Sequence, residues 1–151
     1  MDKWNSVDEV LDFAIKGEEE AMELYTTLAG KVEKPWMKKI FEDFAKEEQG
    51  HKEKLLRVKE GKTLKLVEKK VLDLKIGDYL VDVEPSPDIT YQDALILAMK
   101  REKVAYTLYT NLANAVDDPE LKATFLALAQ EEAKHKLRFE TEYEDKIQVW
   151  N

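Results

Sequence analysis

The stretch EEQGH at residues 47–51 returns as EEAKH at residues 131–135, and in both copies a glutamate lies three residues before a histidine. These are the only two histidines of the chain, and 84 positions (from 51 to 135) separate them. On a helix, residues three apart project from one face, so each copy directs a carboxylate and an imidazole to the same side. A Glu-x-x-His on each of two helices, with one more Glu from each of two others, is a known ligand set for two metal ions inside a four-helix bundle. The pattern predicts such a site.

Composition is that of one globular domain covering residues 1–151, with 44% hydrophobic and 37% charged residues. The absence of cysteine excludes disulfides, thiol catalysis and cysteine-ligated metals, so any metal site must use oxygen and nitrogen ligands. A net charge of −8 argues against nucleic acids and anionic membranes as partners. No apolar run reaches the ~20 residues of a membrane span, and no signal peptide precedes the first helix, so the cytoplasm is the expected location.

Four helices are predicted by apolar residues that alternate at spacings of four and three. Ser6, Thr90 and Asp118 are expected N-caps, and Pro35 and Pro119 suit first helical positions. The helices form one hairpin at about residues 6–60 and a second at about 90–146. The connection between them, about 61–89, is long for a compact domain, and a crossover along the bundle explains its length. The predicted fold is therefore an all-α four-helix bundle with a long crossover.

The two hairpins are copies of one design, because residues 6–51 align with residues 90–135 without a gap. Identical pairs include Leu11/Leu95, Glu18/Glu102, Tyr25/Tyr109, Phe41/Phe125, Glu48/Glu132 and His51/His135. Pseudo-symmetry of this kind predicts a site on the axis that relates the hairpins.

Six polar residues interrupt the apolar stripes near the middle of the helices, and they are the predicted metal ligands: Glu18, Glu48, His51, Glu102, Glu132 and His135. Buried charges must be paired or bind a metal, and two divalent ions offset four carboxylates. Symmetry suggests that Glu48 and Glu132 bridge the ions, with Glu18 and His51 on one and Glu102 and His135 on the other. These ligands favour iron or manganese, with zinc as an alternative.

Two tyrosines lie two turns beyond the first glutamate of each hairpin, Tyr25 after Glu18 and Tyr109 after Glu102. Their hydroxyls are expected either to hydrogen-bond the ligating carboxylates or simply to fill the core.

With four helices, a crossover and two Glu…Glu-x-x-His sets, the chain resembles the rubrerythrin branch of the ferritin-like superfamily over nearly its whole length. The resemblance implies a di-iron site on the six residues named above, tyrosines near the metals at Tyr25 and Tyr109, and a homodimer. It also implies reaction of the ferrous site with hydrogen peroxide or dioxygen in protection from oxidative stress.

Two features depart from that family pattern. Rubrerythrins proper add a rubredoxin domain whose iron, bound by four cysteines, relays electrons, whereas this chain has no cysteine and would need an external electron donor. They also carry an additional glutamate one turn after the third-helix ligand, where this chain has Ala105. The sequence therefore leaves three functions open: a peroxide- or oxygen-reducing oxidoreductase, a metal-binding protein without turnover, and a bundle with an inert zinc or an empty site.

Overall fold

A computed structural model describes residues 4–61, residue 74 and residues 88–148, and among these residues all regular secondary structure is helical. Helix α1 spans Val7–Lys31, α2 spans Pro35–Gly61, α3 spans Tyr91–Asn114 and α4 spans Pro119–Gln148. The predicted all-α bundle is confirmed. Most of the crossover predicted at residues 61–89 lies outside the described residues. None of the described helices has the length and hydropathy needed to span a membrane.

The helix starts follow the capping chemistry that the sequence predicted. The Ser6 hydroxyl accepts a hydrogen bond from the Glu9 amide, and the Thr90 hydroxyl accepts one from the Asp93 amide, both at 3.1 Å. The Asp118 carboxylate likewise accepts from the Glu120 amide at 3.1 Å. Each side chain satisfies a backbone donor that the first turn of a helix leaves unpaired. The repeat is therefore visible in the local structure of both hairpins.

Helix α1 packs along α2, α3 packs along α4, and α1 contacts α3 between the two hairpins. The helices of each hairpin run in opposite directions, so each end of the bundle contains one helix start and one helix end from each hairpin. Two apolar clusters fill these ends, and the six predicted ligands lie between them.

The two clusters differ in composition. The leucine-rich end contains the start of α1, the end of α2, the end of α3 and the start of α4, with the core leucines Leu11, Leu55, Leu108, Leu112, Leu121 and Leu128. The aromatic end contains the other half of each helix, and its rings are Tyr25, Phe41, Phe44, Tyr91, Phe139 and Tyr143. The pseudo-two-fold axis exchanges the two ends.

Candidate metal centre

All six predicted ligands lie in the core, and none exposes more than 4% of its surface. They form two groups in which the candidate ligand atoms lie within 4.8 Å of one another. The His51 group consists of Glu18, Glu48, His51 and Glu132, and the His135 group consists of Glu48, Glu102, Glu132 and His135. Two carboxylates, Glu48 and Glu132, belong to both groups. The arrangement matches the symmetric division expected from the repeat.

Each histidine faces a carboxylate of the other hairpin. His51 Nδ1 lies 2.7 Å from Glu132 Oε1, and His135 Nδ1 lies 3.0 Å from Glu48 Oε1. Within its own hairpin, His51 Nδ1 is 3.5 Å from Glu48 Oε1 and 3.7 Å from Glu18 Oε2. His135 Nδ1 is 3.7 Å from Glu102 Oε1. Both groups are therefore assembled only when the hairpins pack together.

These short contacts leave most lone pairs of the centre without a well-directed hydrogen bond. Both histidine Nδ1 atoms, both oxygens of Glu48 and one oxygen each of Glu18, Glu102 and Glu132 are buried without a hydrogen-bond partner among the described residues. A buried polar atom without a partner costs about 1–3 kcal/mol, and seven in one place would be a large cost for a marginally stable protein. Because the atoms converge on two points and offer only oxygen and nitrogen lone pairs, they fit two divalent metal ions.

Without a metal, protons are the remaining counter-charges in the centre. Burial, followed by the charges of neighbouring glutamates, raises the pKa of Glu48 and of Glu102 well above the usual value. Burial alone would lower the pKa of His51, but its contacts with Glu132 and Glu18 outweigh burial and raise the pKa from 6.5 to about 10. Burial opposes ionisation of Glu132 as well, yet contacts with Glu102 and His51 lower its pKa to about 2. Metal ions would therefore replace protons here.

Glu47 orients one of the histidines. The Nε2–H of His135 donates to Glu47 Oε2 at 2.5 Å, which leaves the lone pair of Nδ1 directed into the His135 group. Its repeat partner Glu131 lies beside the same histidine and pairs with Lys134 at 3.6 Å. The contacts made by Glu47 and Glu131 are therefore less symmetric than the arrangement of the six predicted ligands.

The two tyrosines also behave differently. Tyr109 donates a hydrogen bond to Glu18 Oε1, a carboxylate of the opposite hairpin, and burial followed by the charge of Glu18 raises its pKa. The Tyr25 hydroxyl is buried without a hydrogen-bond partner among the described residues. Its ring packs against His135, with a centroid distance of 6.1 Å. Tyr109 therefore orients a predicted ligand, whereas Tyr25 contributes packing.

A cavity of about 270 Å³ lies between α1 and α3. Its inner wall includes Glu18, Glu48, Glu102, Glu132 and the ring of Tyr109. A space of this size holds several water molecules or a small solute. The cavity borders the carboxylates on the side that faces the leucine-rich end.

Toward solvent, the cavity is lined by the exposed residues Lys16 and Gly17 and by an ion pair. The pair joins Arg101 to Glu20 at 2.7 Å, and the Arg101 side chain is only 11% exposed. Ala105, which occupies the position of the additional family glutamate, also lines the cavity. The centre is thus connected to the surface by a route lined with both charged and apolar side chains.

One buried carboxylate was missed by the sequence reasoning. Glu142 on α4 is 4% exposed and accepts hydrogen bonds from Tyr91 and Lys34. A signal existed, because its repeat partner Val58 belongs to the apolar stripe of α2, so Glu142 falls on the equivalent stripe of α4. The apolar stripe predicts that position 142 is buried, although a glutamate alone would be expected to be exposed to solvent.

Comparison with known proteins agrees with this architecture. The chain aligns at 25% identity with a hypothetical protein from Pyrococcus furiosus, with a TM-score of 0.71 over 93% of this chain and 89% of that one. A protein from Thermotoga maritima, described as a ferritin-like diiron-carboxylate protein, has the same fold, with a TM-score of 0.74 at 21% identity over 93% of this chain and 96% of that one. No curated protein matches the chain.

The family comparison covers both hairpins and all six predicted ligands. The model of the rubrerythrin family matches residues 9–143. The chain belongs to the rubrerythrin family.

Proposed function

We propose that the chain binds two iron ions between its hairpins and uses them to reduce hydrogen peroxide or dioxygen with electrons from an external donor. The observation that carries this proposal is the pair of buried ligand groups that share Glu48 and Glu132. In this assignment, Glu18 and His51 complete one metal site, and Glu102 and His135 complete the other. Each bound iron can give up one electron, so the pair supplies the two electrons that peroxide accepts.

The protein residues then have separate tasks. The hydrogen bond to Glu47 keeps the Nδ1 lone pair of His135 available, and Tyr109 holds the Glu18 carboxylate in place. The surrounding apolar clusters exclude bulk water, which strengthens electrostatic interactions inside the centre. The cavity between α1 and α3 admits a small oxidant directly to the carboxylates.

The cavity also separates the proposed reaction from the alternatives. A purely structural metal site is normally closed, whereas a reactive site keeps an approach for its substrate. A cavity that borders all four carboxylates therefore favours chemistry over an inert zinc site. Metal binding without turnover needs such a route only for the ions themselves, so reactivity with peroxide separates it from the proposed reaction.

The decisive experiment is anaerobic titration with Fe(II), followed by stoichiometric peroxide or dioxygen. We expect two iron ions per chain and a visible absorption change on oxidation, followed by its reversal when a reductant is added. Binding of fewer ions, or oxidation that cannot be reversed, would contradict the proposed reaction. Tight retention of zinc with no effect of peroxide would instead identify the site as structural.

A matched pair of variants tests the assigned ligands. Glu132→Gln alters a carboxylate shared by both groups, whereas Glu131→Gln alters the neighbouring carboxylate outside them. The first should reduce the iron content at saturation, and the second should leave it near two. Equal iron content in both variants would refute the assignment of Glu132 as a shared ligand.

A further inference from the structure

Among the described residues, one buried carboxylate takes no part in the metal centre, namely Glu142. Its Oε2 accepts a hydrogen bond from the Tyr91 hydroxyl at 2.5 Å, and its Oε1 lies 3.3 Å from Lys34 Nζ. The repeat places Val58 at the equivalent position, where it packs on the core of the leucine-rich end. Since an apolar residue suits this position, burying a carboxylate there is a cost that packing does not explain.

Tyr91 lies at one end of a continuous series of ring contacts, which we call the aromatic row. Its ring is 6.1 Å from Phe41, and Phe41 is 5.9 Å from Phe139. From Phe139 the row divides, reaching Tyr25 at 5.1 Å and Phe44 at 5.5 Å.

Both branches of the row end at the metal centre. The Tyr25 ring is 6.1 Å from His135, and the Phe44 ring stacks on His135 at 4.1 Å. All of these centroid distances fall in or near the range of direct aromatic contact. The row therefore links a half-buried tyrosine to a predicted metal ligand without a gap.

The row is confined to the aromatic end because three of its positions differ between the repeats. Tyr91, Phe44 and Phe139 correspond to Val7, Leu128 and Leu55 in the other hairpin. Only Tyr25 and Phe41 have aromatic counterparts, Tyr109 and Phe125. The leucine-rich end has rings of its own, Trp4, Phe13, Tyr109 and Phe125, but the ring contact described there joins Trp4 to Phe13 and does not reach a histidine.

We propose that Tyr91 is a redox-active tyrosine that exchanges electrons with the metal centre through the aromatic row and passes its phenolic proton to Glu142. This inference rests on the proposed function, because the oxidant that takes the electron from Tyr91 is the one that reacts at the metal centre. A phenol gives up an electron far more readily when a base accepts its proton. Tyr91 has such a base in hydrogen-bond contact, whereas Tyr25, whose ring contacts the predicted ligand His135, has none among the described residues.

The resting state of Tyr91 is consistent with this role. Burial, followed by its hydrogen bond to Glu142, raises the pKa of Tyr91 above its usual value. The phenol therefore keeps its proton until it is oxidised. Lys34, whose side chain is 42% exposed, connects the carboxylate to solvent.

The electron balance can be written for peroxide meeting a centre that retains one ferrous ion. Peroxide takes two electrons and two protons from solvent to form two water molecules. A ferrous ion held by the six ligands would supply one electron, and Tyr91 would supply the other through the aromatic row. The O–H bond of Tyr91 breaks, its proton moves to Glu142, and a neutral phenoxyl radical remains. An external one-electron reductant then restores the phenol, and Glu142 returns the proton.

The test is rapid-freeze electron paramagnetic resonance after one-electron-reduced, iron-containing protein is mixed with peroxide. We expect a tyrosyl radical signal in the unaltered chain, its loss in Tyr91→Phe, and its retention in Tyr106→Phe, which alters an exposed tyrosine of the same helix. A signal of full size in Tyr91→Phe, or oxidation of the iron without any tyrosyl signal in the unaltered chain, would overturn the proposal.

The aromatic row is tested with two matched variants. Phe139→Leu removes the ring at which the row divides and copies its repeat partner Leu55. Phe125→Leu makes the same change at the leucine-rich end, and both phenylalanines are 0% exposed. The radical should be lost or strongly delayed only in Phe139→Leu, while thermal unfolding shows both variants to be folded. Equal radical yields in these two variants would exclude the row as the route.

A metal-free measurement separates failure of this inference from failure of the proposed function. Without iron, a soluble photo-oxidant should generate a Tyr91 radical, and Glu142→Gln should slow its formation by roughly 10²-fold, in line with the usual effect of a general base. An unchanged rate in Glu142→Gln would refute the assigned proton acceptor even if iron binding is confirmed. A slowed rate would support it even if the iron-containing protein does not react with peroxide.

Discussion

The leucine-rich and aromatic ends of the bundle occupy equivalent places in the repeat but contain different side chains. Phe41 and Phe125 show the shared design, since both rings are fully buried. Phe139 and Leu55 show the divergence, since a ring in one end is replaced by a branched aliphatic side chain in the other. Both ends of the bundle have a packed core. The need for burial therefore determines which positions are apolar, but it does not determine which apolar side chain occupies each position.

The metal centre belongs equally to both ends, and its loss is the largest change we predict. His51→Ala combined with His135→Ala should abolish stoichiometric iron binding, because one nitrogen ligand disappears from each group. Iron analysis after desalting would measure the loss. The helical circular dichroism should persist, because both apolar clusters remain intact.

Normal iron content in the variant that carries both His51→Ala and His135→Ala would refute the assignment of these histidines as ligands. Replacement of Lys100 by Ala, at an exposed position of α3, provides a control that should retain its iron.

The second prediction concerns pH, to which the metal-free centre should respond strongly. Raised pKa values favour the folded state at low pH, so stabilisation from Glu48 and Glu102 is lost as pH rises above 4.5. Stabilisation from His51 is complete below pH 6.5 and is lost as pH rises through about 10. The lowered pKa of Glu132 acts oppositely, with loss as pH falls from 4.5 toward 2.

Metal-free protein should therefore be most stable near pH 4.5, and its unfolding temperature should fall from there toward pH 10. The iron-bound protein should gain stability relative to the metal-free form as pH rises, since bound metal replaces those protons. Thermal melts across pH, with and without Fe(II), measure both trends. A metal-free protein that becomes more stable from pH 7 to 10 would contradict the described proton distribution.

The third prediction tests the cavity on the leucine-rich side of the centre. A Cβ atom added at Gly17 would meet nothing within 4 Å, so Gly17→Leu can extend into the cavity opening without displacing backbone. Replacing a helical glycine should stabilise α1 by up to about 1 kcal/mol. Oxidation of bound Fe(II) by peroxide should nevertheless become slower, because the route is narrowed.

Stopped-flow absorbance and thermal unfolding measure the two effects separately for Gly17→Leu. Gly30→Leu, in the same helix and also without a close neighbour at the added Cβ, is the matched control away from the cavity. Equal oxidation rates in both variants would show that the oxidant reaches the metals by another route.

The smallest predicted effect compares the helix caps that the repeat makes equivalent. Ser6→Ala and Thr90→Ala each remove one hydrogen bond of 3.1 Å, one at each end of the bundle. Each should cost about 1 kcal/mol of unfolding free energy, because the first turn loses its capping acceptor. Chemical denaturation measures the difference, and a cost confined to one variant would show that the two ends are not energetically equivalent.

The sequence predicted most of the fold because local signals and the repeat agreed. Ser6, Thr90 and Asp118 cap the helices as expected, and the alternating apolar spacing identified the core faces. The same spacing placed six polar residues in the core, and the structure brings them together. Their assigned roles as ligands stay predictions until metal content is measured.

Features that depend on packing between the two hairpins could not be predicted from the sequence. The sequence pairs Tyr109 with Glu102 on one helix, yet its hydroxyl reaches Glu18 on another because α1 and α3 are neighbours. The cavity arises from small side chains such as Gly17 and Ala105 on two different helices. Neither spacing nor residue type along one helix reveals such contacts across the bundle.

The contacts of His51 with Glu132 and of His135 with Glu48 have a consequence for how the molecule assembles. Each hairpin supplies one histidine and two glutamates, so two first hairpins related by a two-fold axis would present the same set of six ligand types as the whole chain. Separate fragments carrying residues 1–61 and 88–151 therefore contain complementary halves of one chelating unit. Metal added to a mixture of the two fragments should therefore promote their association.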